Sequence, residues 1–459
     1  MTRRCDCSSW RTTTGLAATL AVPFLLGSWL LTGTSAAQGP AEPRVPAGKT
    51  VSAAGTLLAR NGEDQPWKPA VEVMTRDHLL VLAGLKAVIE PSADTVRLTL
   101  WGNLPAQSPF PILESSAVLH DTKSFDLDLT LLSGRALLTN TKKSGAAKCW
   151  LRMPDEGWEV TLDEPGTTVA LEQYGRWPRG VPFTKDPLSA ARPVTVMTLQ
   201  VISGQAEVLS NGRLQRLTAP PGPAFLHWDS AGGADTGPQR RQKLPVWATD
   251  NAPQPAELKS LGEVTTKYLE LLKDKRPVEA LQALLTAADS DKDTVRAALM
   301  REFAVLGLAA TGALPQLADA MAAAKDPELR ETAIMAMRHW IGSAPGRDLQ
   351  LYAMLIGHAM YPERHAETVL QLLHSPFDPS DPVTYQTLIA YLQHDRLAIR
   401  ELARWHLYRL APQGAKIRYD ANGSPEERAK AAQEWKLLIP DGELPKSSAK
   451  DESKKRASE

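Results

Sequence analysis

A short phrase recurs along the C-terminal half of the chain at a nearly constant interval: a helix-breaking acidic or proline turn, then an arginine, then an apolar run. It reads Lys292-Asp293-Thr294-Val295-Arg296, then Lys325-Asp326-Pro327-Glu328-Leu329-Arg330, then a degenerate Tyr361-Pro362-Glu363-Arg364, and finally His394-Asp395-Arg396-Leu397-Ala398-Ile399-Arg400. The four arginines stand 34, 34 and 36 residues apart. A period of that length belongs to stacked helical hairpins, in which each unit buries its apolar face only against its neighbours. Arrays of this kind bind or support; they seldom catalyse.

Helical periodicity begins near Ala256, where Leu258, Leu261, Val264, Tyr268, Leu271 and Leu272 fall on one stripe. Asp326-Pro327 can cap a helix and supply its first turn, since proline at the first helical position forfeits no bond that would have formed. Ala333, Met337 and Trp340 follow as a buried stripe, matched after Arg400 by Ala403, Leu407 and Leu410. On these residues, 278–412 resembles an α-solenoid of the HEAT or armadillo type, within a helical domain expected at 256–440. The resemblance implies that Arg296, Arg330 and Arg400, with Asp293, Asp326 and Asp395, link successive repeats. Ser424-Pro425-Glu426-Glu427 reads as a capping box opening a last helix, with Trp435, Leu438 and Ile439 sealing the end. Pro440 stops it, and the charged, serine-rich stretch 441–459 reads as a disordered tail.

Between about 52 and 229 the period is two. Val96, Leu98 and Leu100 alternate with Arg97, Thr99 and Trp101; Phe125, Leu127, Leu129 and Leu131 alternate with Asp126, Asp128 and Thr130. Further strands are expected at 78–84, 157–163, 167–173, 194–203 and 205–209. Many short strands with frequent turns argue for a sandwich or jelly-roll-like domain. The phrases Gly55-Thr56-Leu57-Leu58-Ala59-Arg60, Trp67-Lys68-Pro69, Asp77-His78-Leu79-Leu80, Leu131-Leu132-Ser133-Gly134-Arg135-Ala136 and Glu164-Pro165-Gly166-Thr167-Thr168-Val169 resemble an extracytoplasmic FecR-type domain. The chain departs from that family at Glu90-Pro91-Ser92-Ala93-Asp94, where an Asp-Gly-Ser turn usually stands. The fold class expected is therefore multidomain α+β, an all-β N-terminal domain and a C-terminal α-solenoid joined by a Pro/Gly-rich linker at 230–255.

Arg3, Arg4 and Arg11 precede an uncharged hydrophobic run from Gly15 to Gly33, which reads as an export signal over residues 1–37. Its length fits a cleaved peptide ending before Gln38 and an uncleaved membrane anchor equally well. Residues 38–51 read as an extended spacer. Only 14 residues precede the run, too few for the cytoplasmic regulator that FecR signalling proteins carry. Cys5 and Cys7 lie before the run and Cys149 alone follows it, so neither an internal disulfide nor a disulfide-linked partner is expected. Cys149, beside Trp150, reads as a buried apolar residue. The 52 basic and 52 acidic residues leave no basic surplus for nucleic acid.

Seven tryptophans fall in or near the β region: Trp67, Trp101, Trp150, Trp158, Trp177, Trp228 and Trp247. Most are expected to fill the core. Trp101, out of phase with Val96, Leu98 and Leu100, is the candidate ligand contact. Asp126 and Asp128 stand about 6–7 Å apart on one strand face, a separation glycosidases use, but a face opposite apolar neighbours predicts solvated charges. His358, Glu363 and His365 are spaced wrongly for a metal site, and Asp420-Ala421-Asn422-Gly423-Ser424 lacks the last acid of a calcium loop. No catalytic residue, metal or cofactor is called for. The expectation is a non-enzymatic, exported envelope protein that docks a partner protein or glycan, contacting the membrane through its N-terminal segment if that stays uncleaved. The alternatives are a carboxylate-dependent glycan hydrolase and a transmembrane signal regulator of the FecR type.

Overall fold

The computed structural model describes residues 44–102, 113–153, 156–186, 189, 191–232, 237–240, 243–248, 256–323 and 326–446. The expected export segment and most of the expected tail lie outside them. Among the described residues an N-terminal β-rich region precedes a C-terminal region of ten helices, and none of these helices is long and apolar enough to cross a membrane.

The strands are β1 Pro46–Thr50, β2 Leu58–Arg60, β3 Lys68–Pro69, β4 Glu72–Met74, β5 His78–Val81, β6 Lys86–Pro91, β7 Val96–Trp101, β8 Ser115–Leu119, β9 Leu127–Asn140, β10 Ala147–Arg152, β11 Gly157–Leu162, β12 Thr168–Arg176, β13 Val194–Ser203, β14 Gln205–Ser210, β15 Arg213–Thr218, β16 Pro223–Asp229 and β17 Gln239–Arg240. β9 organises them. Its first half pairs with β8 and β10, its second half with β7 and β12, and Gly134 sits at the change-over with φ +97°. A Cβ there would come 2.3 Å from the Glu114 carbonyl oxygen, so only glycine fits. The β9–β10 ladder is parallel; the other pairings among the described residues are antiparallel.

Register explains what is buried. Ala87 faces Leu100, Ile89 faces Leu98, Leu98 faces Leu138, and Leu138 faces Val169 across β6, β7, β9 and β12. All are essentially inaccessible. The intervening residues occupy the other face, as a period of two requires. The expected strands at 78–84, 157–163, 167–173, 194–203 and 205–209 are present as β5, β11, β12, β13 and β14. The expected spacer at 38–51 holds β1 instead: its proline- and alanine-rich composition conceals a strand whose backbone pairs with β4 and β6.

The helices are α1 Ala256–Leu271, α2 Pro277–Asp289, α3 Thr294–Ala310, α4 Leu314–Ala323, α5 Pro327–Gly342, α6 Arg347–Gly357, α7 Glu363–His374, α8 Pro382–Tyr391, α9 Leu397–Leu410 and α10 Pro425–Leu438. Asp293 caps α3 by accepting from the Val295 and Arg296 amides, and Asp326 caps α5 with Pro327 in the first turn. Ser424 and Glu427 form the capping box of α10. The phrase is weaker elsewhere: α7 starts after Pro362 and α9 after Arg396, neither with a side-chain cap, and Asp395 is left exposed. Neighbouring helices pack as α2 on α3, α4 on α5, α6 on α7 and α8 on α9, while α3, α5, α7 and α9 touch in succession.

Among the described residues the two regions belong to one compact unit that begins at Arg44, not to beads on a string. Trp67 donates its indole N–H to the Thr311 carbonyl (3.0 Å) and Trp177 donates to the Ile341 carbonyl (3.1 Å). The Gln371 side chain brackets the backbone of Phe183, accepting from its amide and donating to its carbonyl. Gly175 of β12 and Gly342 of α5 meet so closely that a Cβ on Gly175 would lie 2.0 Å from the Gly342 carbonyl oxygen. The stretch expected as a free linker supplies β17 and a single 3-10 turn, Val246–Ala248, whose Trp247 indole donates to Glu172 (2.9 Å). Pro and Gly content signals irregular backbone and gives no sign that β17 pairs with β16 or that the Trp247 indole docks on Glu172.

Candidate binding surfaces

The arginines of the recurrent phrase reach across the helical region. Arg296 forks onto Asp291 (2.7 and 2.8 Å) and touches Glu263 of α1 (3.2 Å). Arg330, nearly inaccessible, donates Nε to Glu401 of α9 (2.8 Å) and reaches Asp420 (3.4 Å). Arg400 donates to the carbonyls of Ala421, His394 and Asp395. Planar guanidinium groups suit such multi-point bridging. The closest acidic partners are not those of the phrase itself: Asp293 caps backbone amides and lies 3.7 Å from Arg296, Asp326 serves a backbone amide, and Asp395 contributes a carbonyl rather than its carboxylate.

The Arg330–Glu401 pair lies in the lining of a cavity of about 550 Å³ enclosed by α4, α5, α6, α7 and α9. Its walls are apolar, with Leu317, Ile334, Leu351 and Leu402 buried and Met321, Met337 and Met354 adaptable. Asp319, His358, Asp395 and Arg396 supply its polar edge. His358 is 3.4 Å from Asp319, and the Arg396 guanidinium lies 4.8 Å from the Tyr361 ring. Arg330 and Asp395 thus share a cavity, whereas Arg296, Asp293, Asp326 and Arg400 lie outside it.

A second concavity lies on the outer face of the sheet formed by β6, β7, β9, β12 and β13. Register places side chains there in rows. Lys86, Trp101, Arg135 and Glu172 form one row; Val88, Thr99, Leu137 and Ala170 the next; Arg97, Thr139 and Thr168 a third. The segment 243–248 lies over this face. Arg135 is buried between Glu172 (2.8 Å) and the Trp247 ring (5.0 Å). Burial pulls its pKa down, with Glu172 acting in the opposite sense. Trp101, as expected, points away from the apolar face, but its ring is engaged: Trp247 meets it edge-on at 6.4 Å and the Lys86 ammonium lies 4.7 Å from its centre.

The strand carboxylates are not solvated as expected. Asp128 is buried and held bidentately by Arg152 (2.7 and 2.8 Å). Asp126 accepts from the Lys142 ammonium and the Lys148 amide, both at 2.8 Å. Alternation within one strand cannot show partners arriving from the next. Burial would raise the Asp126 pKa, but those two hydrogen bonds hold it below the usual carboxylate range, opposite to what a general acid needs. Cys149 is inaccessible and its thiol is pushed up by burial, which leaves it inert. Trp67, Trp158 and Trp228 are buried, and Trp150 and Trp177 partly so.

The seam between the regions carries charge that no sequence signal announced. His339 of α5 meets Glu114 at 2.8 Å, with both side chains almost fully enclosed. Burial opposes ionisation of Glu114, yet the charge and hydrogen bond of His339 bring its pKa down to about 2. His374 lies 3.3 Å from Asp348 and 4.3 Å, ring to ring, from Trp177. Glu114 also accepts from the buried Ser133 hydroxyl (3.1 Å), and neither pair belongs to a group of metal-ligating side chains among the described residues. No family model matches the chain, and neither a curated protein nor a solved structure matches it.

Proposed function

We propose that this is a non-enzymatic binding or scaffold protein of a bacterial cell envelope, exported by its N-terminal segment, in which a FecR-like β sandwich is fused to a HEAT-like α-solenoid. The roughly 34-residue period, the pairwise packing of α2 to α9 and the arginine bridges support the solenoid reading. The partner is a protein that inserts an apolar segment into the helical cavity. The observation that carries this reading is the cavity itself: about 550 Å³, apolar-walled, with its buried ion pair already satisfied. A pocket of that size and lining holds a ligand by burial and fixes its orientation through a few polar groups at the edge.

An apolar fluorescent probe, anilinonaphthalene sulfonate, should bind the folded chain at one site. Ala398→Phe, which fills the cavity from the first turn of α9, should abolish the signal without lowering the unfolding midpoint. Unchanged probe binding would remove the cavity from the reading. Turnover of a glycan or ester that disappears in Asp126→Asn or Asp128→Asn, with folding intact, would replace binding by hydrolysis.

A further inference from the structure

The concavity on the outer sheet face, about 680 Å³, differs in kind from the helical cavity. Its floor mixes short hydroxyl side chains with small apolar ones: Thr139 and Thr168 lie side by side with their oxygens 3.1 Å apart, next to Leu137, Val88 and Ile202. The strands that carry these hydroxyls run about 4.8 Å apart, the scale of a sugar ring. A hydroxyl also keeps donor and acceptor capacity beyond one bond. This alternation of oxygen and hydrocarbon suits a saccharide, which presents hydroxyls at its edge and C–H groups on its faces.

Charge narrows the class. Lys49 and Arg97 both approach Glu90, at 3.7 and 3.9 Å, so the carboxylate that lines the concavity among the described residues is shared between two cations. Lys86 lies exposed in the lining and has no carboxylate partner among the described residues; its ammonium rests instead against the Trp101 ring. A cation held in place by an aromatic face and lacking a counter-ion is complementary to a ligand carboxylate. One spare cation among the described lining residues is far too little for a nucleic acid backbone.

We propose that this groove binds a carboxylate-bearing saccharide, with Lys86 pairing its carboxylate and the Thr139, Thr168 and Ser203 hydroxyls meeting its hydroxyl groups. The proposal stands apart from the helical cavity, and filling that cavity leaves it untouched. Trp101 acts here through Lys86, as a positioning residue.

The test is calorimetric titration of the full chain with tetragalacturonate and with a hyaluronate tetrasaccharide. Maltotetraose serves as the neutral saccharide and tetraglutamate as the acidic non-saccharide. At least one acidic tetrasaccharide should bind, with maltotetraose at least about tenfold weaker, the factor a single charge-assisted contact of about 1.4 kcal/mol supplies, and with tetraglutamate weaker as well, because its carboxylates come without the saccharide hydroxyls. Lys86→Ala should weaken the acidic tetrasaccharide by about tenfold, and Thr139→Val together with Thr168→Val by a smaller factor, with the unfolding midpoint of each variant as the folding control. Absence of binding by both acidic tetrasaccharides overturns the proposal. Lys86→Ala binding as tightly as the parent overturns it too, as does tetraglutamate binding equally well.

Discussion

The β region and the helical region bury charge in opposite ways. In the sheets, Arg135 pairs with Glu172 directly across the β9–β12 ladder, and Asp128 meets Arg152 on the strand parallel to its own. The backbone ladders have already set which residues face one another, and the ion pairs decorate a register fixed by main-chain bonds. Helices satisfy their backbone internally and have no such ladder between them. There the side chains set the stacking: Arg330 reaches a glutamate 71 positions on, and Arg400 holds carbonyls at both ends of its own neighbourhood. A charge is thus an accessory in one region and a fastener in the other.

The sharpest way to break this contrast is to remove a fastener. Arg330→Ala leaves Glu401 buried with Arg404 beside it (3.0 Å) but without its closer partner, and one-sided loss of a buried pair costs on the order of 3 to 5 kcal/mol. Urea unfolding of the full chain should register that loss, and the apolar pair Arg330→Met with Glu401→Leu should recover most of it. The sheet counterpart, Arg152→Ala, removes a half-exposed partner and should cost clearly less. Equal costs at the two positions would dissolve the distinction.

Acid should expose the same asymmetry. His406, packed against Phe377 and Trp405 with Nε2 2.7 Å from the Leu372 carbonyl, is pushed down by burial to about 3. A base whose folded value is depressed contributes stability that is complete above its unfolded value near 6.5 and is lost as pH falls towards the folded value. Stability should therefore decline as pH falls from about 6.5 to 4.5, by a few kcal/mol at about 1.4 kcal/mol per unit. His406→Gln should flatten that limb. Below about 4.5, Glu114 adds a second loss as pH approaches 2, because its depressed carboxylate value reflects the His339 pair at the seam.

At the seam itself, Gly175→Ala drives a methyl into the Gly342 carbonyl. Overpacking of this kind costs about 1 to 3 kcal/mol, and the unfolding transition should shift as one step if both regions melt together. The smallest effect is expected at Lys185, whose exposed ammonium bridges Glu363 and Glu367 at 2.7 Å across the same seam. Lys185→Ala should shift the unfolding midpoint less than any of the other variants, and less still in high salt.

Local signals were legible wherever the responsible interaction is local. The capping box at Ser424 to Glu427, the Asp326-Pro327 start of α5 and the strands around the Ser203-Gly204 turn all depend on residues within a few positions. The Arg330 and Arg400 bridges were half-legible: spacing pointed to the arginines but not to Glu401 or the Ala421 carbonyl. Illegible were β1, the Asp128–Arg152 pair, and the Lys86 groove, whose rows exist only once β6, β7, β9 and β12 are known to be neighbours. Glu114 and His339, 225 positions apart, carry no pattern that would join them.

The docking of Trp67 and Trp177 on carbonyls of residues 311 and 341, and of Phe183 on Gln371, has a consequence for biosynthesis. A chain emerging from the ribosome N-terminus first completes its strands well before those receptors exist. Until the later helices arrive, the nascent product displays aromatic faces of the kind that quality-control factors recognise, and a message truncated after residue 250 would leave them bare for good.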